Sequence, residues 1–427
     1  MPPSPLADPP AGKRFLIVFF CCVGFFLAAV FAFNVAIDPF RVFGSASRTG
    51  FNDRRPPTEG FDRMAKPYEI LRVQPRTVIF GSSTAHSGFP HIGWWENSLP
   101  KPAYNYALLG ANAREVSLSV QQAMREAPVE VAIVVADFFA YNSHYAAGAQ
   151  FSPARLLAAT RRTAVGFVPE DLGAFTLGVD TLRLSWQTLL ASRKAAASPN
   201  THASSAAPRA QPLFRFQEIE RSYLPKWLPR PYHRYAFSDP AHGDRMVDYD
   251  DALTAASEKG ARVIVIIPPI HARFQEAIAK AGVWSHYEAF KRTLVARTQA
   301  HLAKTKAASP PRVELWDFSL FNSRSQEAVQ ADSAVEMKWW IDSAHFTPDY
   351  GKDILDEILG APTVSSLGAR LVPGAADIEP HLAAIRSGLS NFRTAQPDVV
   401  ANVHATLSSV PIATYRPAQR LAEIASP

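Results

Sequence analysis

From Phe15 to Ile37 no residue is charged, and only Asn34 is clearly polar. At about 1.5 Å rise per residue, a helix of this length crosses a ~30 Å hydrocarbon core. It is apolar on all sides, whereas a surface helix of a soluble domain keeps a polar face. A cleaved secretory signal would have a shorter apolar core, roughly 7–15 residues, ending in a small-residue site. Ala32-Phe33-Asn34 fits such a site poorly. Lys13 and Arg14 precede the run and Asp38 follows it. The positive-inside rule therefore puts residues 1–14 in the cytoplasm, a membrane anchor over 15–37 and the remainder outside. Residues 38–75 are read as a connector, because Arg41 to Pro67 is polar and carries Gly, Pro and several Arg.

Beyond the connector, short apolar runs alternate with helical patterns. Thr77–Phe80, Ala103–Leu108, Val129–Phe139, Arg262–Ile267 and Val313–Trp316 are expected strands. Nearly continuous apolar strands suit a parallel sheet covered on both faces. Asn112–Glu126, Asp248–Lys259 and Tyr287–Lys304 are expected helices between them. The alternation predicts an α/β fold, a doubly wound and mostly parallel sheet, over residues 76–360. A helical insertion is expected over about 143–240. Its Ala/Ser/Pro-rich middle, about 191–212, reads as a flexible loop. Its flanks, Phe151–Leu190 and Leu213–Tyr235, are expected to pack over one edge of the core as a cap. Residues 361–427 form a C-terminal extension with a helix near Ile378–Phe392, and no internal repeat is visible.

Composition narrows the class. The 427 residues are 47% hydrophobic and 19% charged, so most of the chain can bury a core. Net charge is +6, but the Lys and Arg residues are scattered, with no basic run longer than two. That is not the footprint of a nucleic-acid partner; a mildly basic surface suits anionic lipid or acidic glycan. The two cysteines, Cys21 and Cys22, both lie in the apolar run. The rest of the chain thus offers no disulfide, thiolate nucleophile or cysteine metal site. The histidines form no HExxH or HxH pairing, so neither metal nor cofactor is expected.

Three motifs carry candidate chemistry. Val78-Ile79-Phe80-Gly81-Ser82-Ser83 runs a strand into a serine at its carboxyl end, the edge where open α/β sheets bind ligands. Asp342-Ser343-Ala344-His345 precedes Thr347-Pro348, a good helix start. In such a turn the carboxylate can meet the imidazole, fix its tautomer and leave Nε2 as a base. Asn105-Tyr106-Ala107-Leu108-Leu109-Gly110 ends the second strand, and Gly110 offers a backbone N–H for an oxyanion. Each motif also has an ordinary structural reading: a capping serine, a surface Asp with a capping His, and a plain strand end.

Taken together and in this order, the three resemble the SGNH hydrolase superfamily over roughly Arg76 to Leu359, without the insertion. The resemblance aligns Ser83 with the nucleophile, Asn105 and Gly110 with the second block, and Asp342 and His345 with the last. The Gly-Ser-Ser form, the N-terminal anchor and Asn34-Val35-Ala36-Ile37-Asp38-Pro39-Phe40 look most like membrane-anchored envelope members. These are the proteins of alginate and exopolysaccharide O-acetylation and the membrane protein of teichoic-acid D-alanylation. The resemblance implies a three-layer, flavodoxin-like domain outside a bacterial-type plasma membrane, a polysaccharide substrate, and a multi-span membrane acyltransferase as partner. Two blocks depart: Ala107 stands where the second usually has glycine, and Ala136-Asp137-Phe138-Phe139 stands where the family has Gly-x-Asn-Asp after the third strand. Asn112 and Asn142 are candidate replacements for the missing oxyanion donor.

Further candidates surround these motifs. Ser82 neighbours the nucleophile. His271 and Arg273, after the fourth strand, are candidates for binding an acidic or glycan substrate. His86 and His91 read as loop histidines, Asp137 as a loop cap, and Trp94-Trp95 and Trp339-Trp340 as packing rather than sugar platforms. Two functions are expected from this pattern. One is a serine esterase or O-acyltransferase acting on a cell-envelope or exported polysaccharide. The other is a non-catalytic relative that keeps the fold for polysaccharide binding or assembly.

Overall fold

The computed structural model describes residues 11–56, 58–89, 99–158, 167–197, 211–229, 234–305, 312–330, 336–361, 366–374 and 377–410. The chain divides into two compact units, Met1–Arg72 with Leu157–Ser205, and Val73–Leu156 with Ala206–Pro427.

In the first unit the apolar run forms one helix, Ala11–Ile37, long and apolar enough to cross a membrane. At its C-terminal end Asn34 is buried and its side-chain amide donates to the Thr176 carbonyl at 2.8 Å. Asp38 turns the chain immediately afterwards. Its carboxylate accepts from the backbone N–H of Val42 at 2.8 Å, Gly44 at 2.9 Å and Ser45 at 3.1 Å. The expected connector is therefore ordered: Phe40, Val42, Ala65 and Tyr68 share a core with Phe175 and Leu184. Helix Asp62–Val73 supplies Ala65 and Tyr68, and the Tyr68 hydroxyl donates to Asp171 at 2.6 Å. Helices Pro169–Leu177 and Val179–Ala197 thus pack with the N-terminal region and belong to the first unit. The second also occupies residues 191–197 of the expected flexible loop, since Ala and Ser stretches support a helix once one face is packed. Residues 198–210 of that loop lie outside the described residues.

The second unit is built on a six-stranded sheet. Its strands are β1 (Thr77–Phe80), β2 (Ala103–Asn105), β3 (Val131–Val135), β6 (Arg262–Ile267), β7 (Val313–Asp317) and β8 (Ala369–Val372), with a short hairpin of β4 (Ser238–Asp239) and β5 (Gly243–Asp244) outside it. The order is β2-β1-β3-β6-β7-β8. All neighbours run parallel except β8, which is antiparallel to β7. β1 and β3 are buried along their whole length, as continuous apolar strands between helical layers must be. β3 stops earlier than the apolar run suggests, because Asp137 leads into a tight turn over Phe138–Tyr141. The helices Ala113–Glu126 and Arg245–Glu258 pack on each other. The C-terminal extension belongs to this unit: it contributes β8 and helices Glu379–Ala395 and Pro397–Ser408.

Candidate active site

β1 ends at Gly81, whose φ of +153° favours glycine. A side chain there would press on Ala85 and Val135. The turn delivers Ser83 to the first position of a short helix, Ser83–Gly88, at the carboxyl edge of the sheet. An N–H at such a position has no partner within its helix.

The opposing loop folds on itself. Asp342 Oδ1 accepts from the N–H groups of Ala344 and His345, both at 2.9 Å. The Ile341 N–H donates to the His345 carbonyl at 2.8 Å, and Trp340 and Phe346 form a β-bridge behind it. This turn brings the His345 ring onto its own carboxylate, with Nδ1 2.9 Å from Asp342 Oδ1 and 2.8 Å from Oδ2. Nε2 then lies 2.8 Å from Ser83 Oγ. A carboxylate, an imidazole and a hydroxyl in this order are a proton relay that can activate an oxygen nucleophile. The helix after the loop, Pro348–Ile358, meets the serine helix glycine to glycine. A Cβ on Gly351 would run into the Gly88 carbonyl, and one on Gly88 into the Phe346 ring.

The floor of the site is Asp137. Ser82 Oγ donates to it at 2.7 Å and Thr84 Oγ1 at 2.8 Å, so Ser82 is engaged beside the serine that meets the imidazole. Burial pushes the Asp137 carboxyl upward, and the bonds from Ser82 and Thr84 oppose that shift. Helix Pro212–Trp227 of the insertion supplies the wall. Its Tyr223 packs edge-on to His345, and the phenol, facing Ser83, is buried with no hydrogen bond of ordinary geometry among the described residues. Burial holds this phenol well above its ordinary pKa, so it stays a protonated donor. Lys226 Nζ sits 3.9 Å from the Tyr223 ring centroid and 4.7 Å from that of Phe139. Burial lowers the Lys226 amine to about 8, with Asp137 and Asp342 pulling the other way.

Several expected site residues serve the scaffold instead. Asn105 donates to the carbonyls of Ala85 (3.0 Å) and Phe89 (2.5 Å), pinning the serine helix to β2. Asn112 caps helix Ala113–Glu126 in a reciprocal pair with Glu115, and its side-chain amide donates to the Tyr145 carbonyl at 3.1 Å. Asn142 donates to the carbonyls of Lys226 (3.2 Å) and Trp227 (3.0 Å). Both are thereby committed elsewhere, which corrects their reading as oxyanion donors. Gly110 lies at the β2 edge, where the Leu108 N–H bonds the Gly81 carbonyl at 3.0 Å.

His271 and Arg273 are corrected likewise. His271 is a buried helix cap whose Nδ1 accepts from the Arg273 N–H and whose Nε2 donates to the Glu327 carbonyl at 2.8 Å. Burial lowers it to about 3, so it is neutral and presents no charge to a substrate. Arg273 forms a buried bidentate pair with Glu220, both bonds 2.9 Å. Trp340 is buried and donates to the Arg324 carbonyl at 2.6 Å, while Trp339 stacks on the Arg324 guanidinium. His86 is half-buried in the serine helix, and His91, Trp94 and Trp95 lie outside the described residues.

No metal was expected, yet among the described residues His144, Asp239 and His242 bring metal-type donors together. The Arg234 Nε donates to His144 Nε2 at 3.2 Å and its guanidinium lies 3.7 Å from Asp239, so a cation already occupies this cluster.

Sequence reasoning passed over Tyr223 and Lys226. They lie in an apolar, aromatic stretch with no local pattern separating site from packing. No family model matches the chain, and no curated protein matches it either.

Proposed function

We propose that this chain is a membrane-anchored, SGNH-like serine ester hydrolase or O-acyltransferase that works outside the cytoplasm on an acylated polysaccharide. The observation that carries the reading is the contact chain from Asp342 through His345 to Ser83 at the carboxyl edge of the sheet. In the proposed reaction Ser83 Oγ attacks the ester carbonyl carbon while its proton passes to His345 Nε2. Asp342 accepts from Nδ1–H, fixes that tautomer and faces the imidazolium as it forms. The oxyanion of the tetrahedral intermediate accepts hydrogen bonds from the Ser83 and Gly110 N–H groups. The Tyr223 hydroxyl, protonated, facing Ser83 and with no hydrogen bond of ordinary geometry among the described residues, acts in place of the family's missing asparagine. Collapse expels the alcohol, which takes the proton from His345 and leaves an acyl group on Ser83. Water or a sugar hydroxyl, deprotonated by the same imidazole, then attacks the acyl carbonyl; the bond to Ser83 Oγ breaks, and Ser83 takes the proton back from His345. Water gives an esterase and the sugar a transferase, and both use the same residues.

The helix Ala11–Ile37 supports the anchor, with Lys13 and Arg14 on the cytoplasmic side. The test is acetate release and acetyl transfer on an acetylated glycan, with wild type beside Ser83→Ala, His345→Ala and Asp342→Asn. All three variants should lose most turnover while remaining folded, and their effects should not add, because the residues act as a unit. A folded Ser83→Ala protein with wild-type turnover would remove Ser83 from the mechanism. A wild-type protein inert to every glycan ester would favour the non-catalytic, polysaccharide-binding reading.

A further inference from the structure

The first unit exposes large apolar side chains beyond those of the N-terminal helix. On helix Val179–Ala197 these are Val179 at 82%, Trp186 at 55% and Leu190 at 49% exposure. Spacings of seven and four residues put the three on one stripe. The opposite face, with Leu184, Ser185, Thr188 and Ser192, is buried. Arg183, Arg193 and Lys194 are exposed and flank the stripe, Arg183 lying 3.5 Å from Asp180. An aqueous surface gains nothing from such a stripe, and contiguous exposed apolar groups mark an interaction surface.

The neighbouring helix identifies what covers it. The Trp186 ring lies 6.2 Å from the ring of Phe33, near the C-terminal end of Ala11–Ile37. At the next residue of the anchor, the Asn34 side-chain amide donates to the Thr176 carbonyl at 2.8 Å, just before exposed Leu177. The stripe is therefore continuous with the apolar surface of the anchor, at the end where the anchor leaves the hydrocarbon. Tryptophan favours that level of a bilayer, and long basic side chains beside it extend to lipid phosphates.

We infer that helix Val179–Ala197 lies in the outer interface of the bilayer that the anchor crosses. Val179, Trp186 and Leu190 insert among the upper acyl chains, and Arg183, Arg193 and Lys194 contact anionic headgroups. Amphipathic helices in this position sink about 5–10 Å into the headgroup boundary. The inference rests on the anchor spanning the membrane. It adds a second, lateral contact that fixes the orientation of the first unit on the lipid surface.

The experiment is nitroxide accessibility on the full chain in phosphatidylethanolamine–phosphatidylglycerol vesicles. Cys21 and Cys22 are replaced by Ser, and single labels are placed through Val179→Cys, Trp186→Cys, Leu190→Cys and, within the span, Val23→Cys. Oxygen concentrates in lipid and a nickel chelate in water. All three stripe positions should favour oxygen over nickel, at shallower depth than Val23. Nickel-favoured labels at the stripe with an oxygen-favoured Val23 would overturn the interfacial helix and leave the anchor standing. A nickel-favoured Val23 would overturn the anchor and the inference with it. Stripe labels shielded from both reagents and broadened by a neighbouring spin would assign the stripe to a second copy of the chain, against a lipid contact.

Discussion

An ammonium group strongly prefers water, yet Lys226 is half-buried with its Nζ against the rings of Tyr223 and Phe139, and no carboxylate pairs with it among the described residues. Its folded-state pKa of about 8, against an ordinary value of 10.5, means the folded protein holds this proton less tightly than the unfolded chain. Stability contributed by this group therefore rises with pH between about 8 and 10.5, and below that window the burial penalty is fully present. Lys226→Met should accordingly raise the melting temperature at pH 7, by on the order of 2 kcal/mol of stability. Thermal unfolding of the detergent-solubilised chain at pH 7 and pH 10 checks this, with the gain shrinking at the higher pH. Turnover should move the other way. The Lys226 charge favours a developing oxyanion, so wild-type kcat should fall as pH rises through about 8, and Lys226→Met should lack that alkaline limb. Tyr223→Phe removes a single hydroxyl from a ring that stays packed. It should lower kcat by about 10²-fold with KM nearly unchanged, as expected of a donor used only in the transition state. Ser83, Asp342 and His345 were legible at this scale because each sits in a short motif whose backbone context is local. Tyr223 and Lys226 were not, because what selects them is a fold contact across a long insertion.

Between residue and fold, the site depends on how closely its elements approach. The serine helix and helix Pro348–Ile358 touch through Gly88 and Gly351, so the distance between Ser83 and His345 is set partly by two absent side chains. Gly351→Ala should force the helices apart, cost about 1–3 kcal/mol as overpacking, and reduce turnover by about 10²-fold through misplacement of the relay. Gly173→Ala, where nothing lies near an added methyl, is the control and should leave activity and stability essentially intact. The insertion helix is held by a different device. Arg273 of helix Ala272–Lys280 forms a buried bidentate pair with Glu220 of helix Pro212–Trp227. Arg273→Met leaves a buried carboxylate unpaired and should cost about 3–5 kcal/mol, most of it recovered by adding Glu220→Met; chemical denaturation of both variants measures this. The five parallel strands were readable because apolar runs between turn residues have one good solution in an α/β chain. β8 and helix Asp62–Val73 were not, since a short antiparallel edge strand and a polar helix lack the periodicity that announces them. That the first flank of the insertion shares a core with Phe40 and Tyr68 was not readable, because an amphipathic pattern says that a face is buried but not against what.

At the scale of the whole molecule, the two units divide the work: one carries the apolar helix and the other the relay. In the proposed reading the helix Ala11–Ile37 is an anchor, and the basic residues before it set its topology. A reporter that folds only outside the cytoplasm, fused to the C-terminal end, should be active, while a reporter active only inside should be silent.

Everything proposed about function depends on Ser83 being a nucleophile activated by His345. The most direct measurement is covalent labelling of the solubilised full chain with a fluorophosphonate, followed by peptide mass spectrometry. The account predicts one adduct, on Ser83, lost in Ser83→Ala and strongly slowed in His345→Ala. A chain that takes up no label, or takes it up equally well without His345, would contradict it.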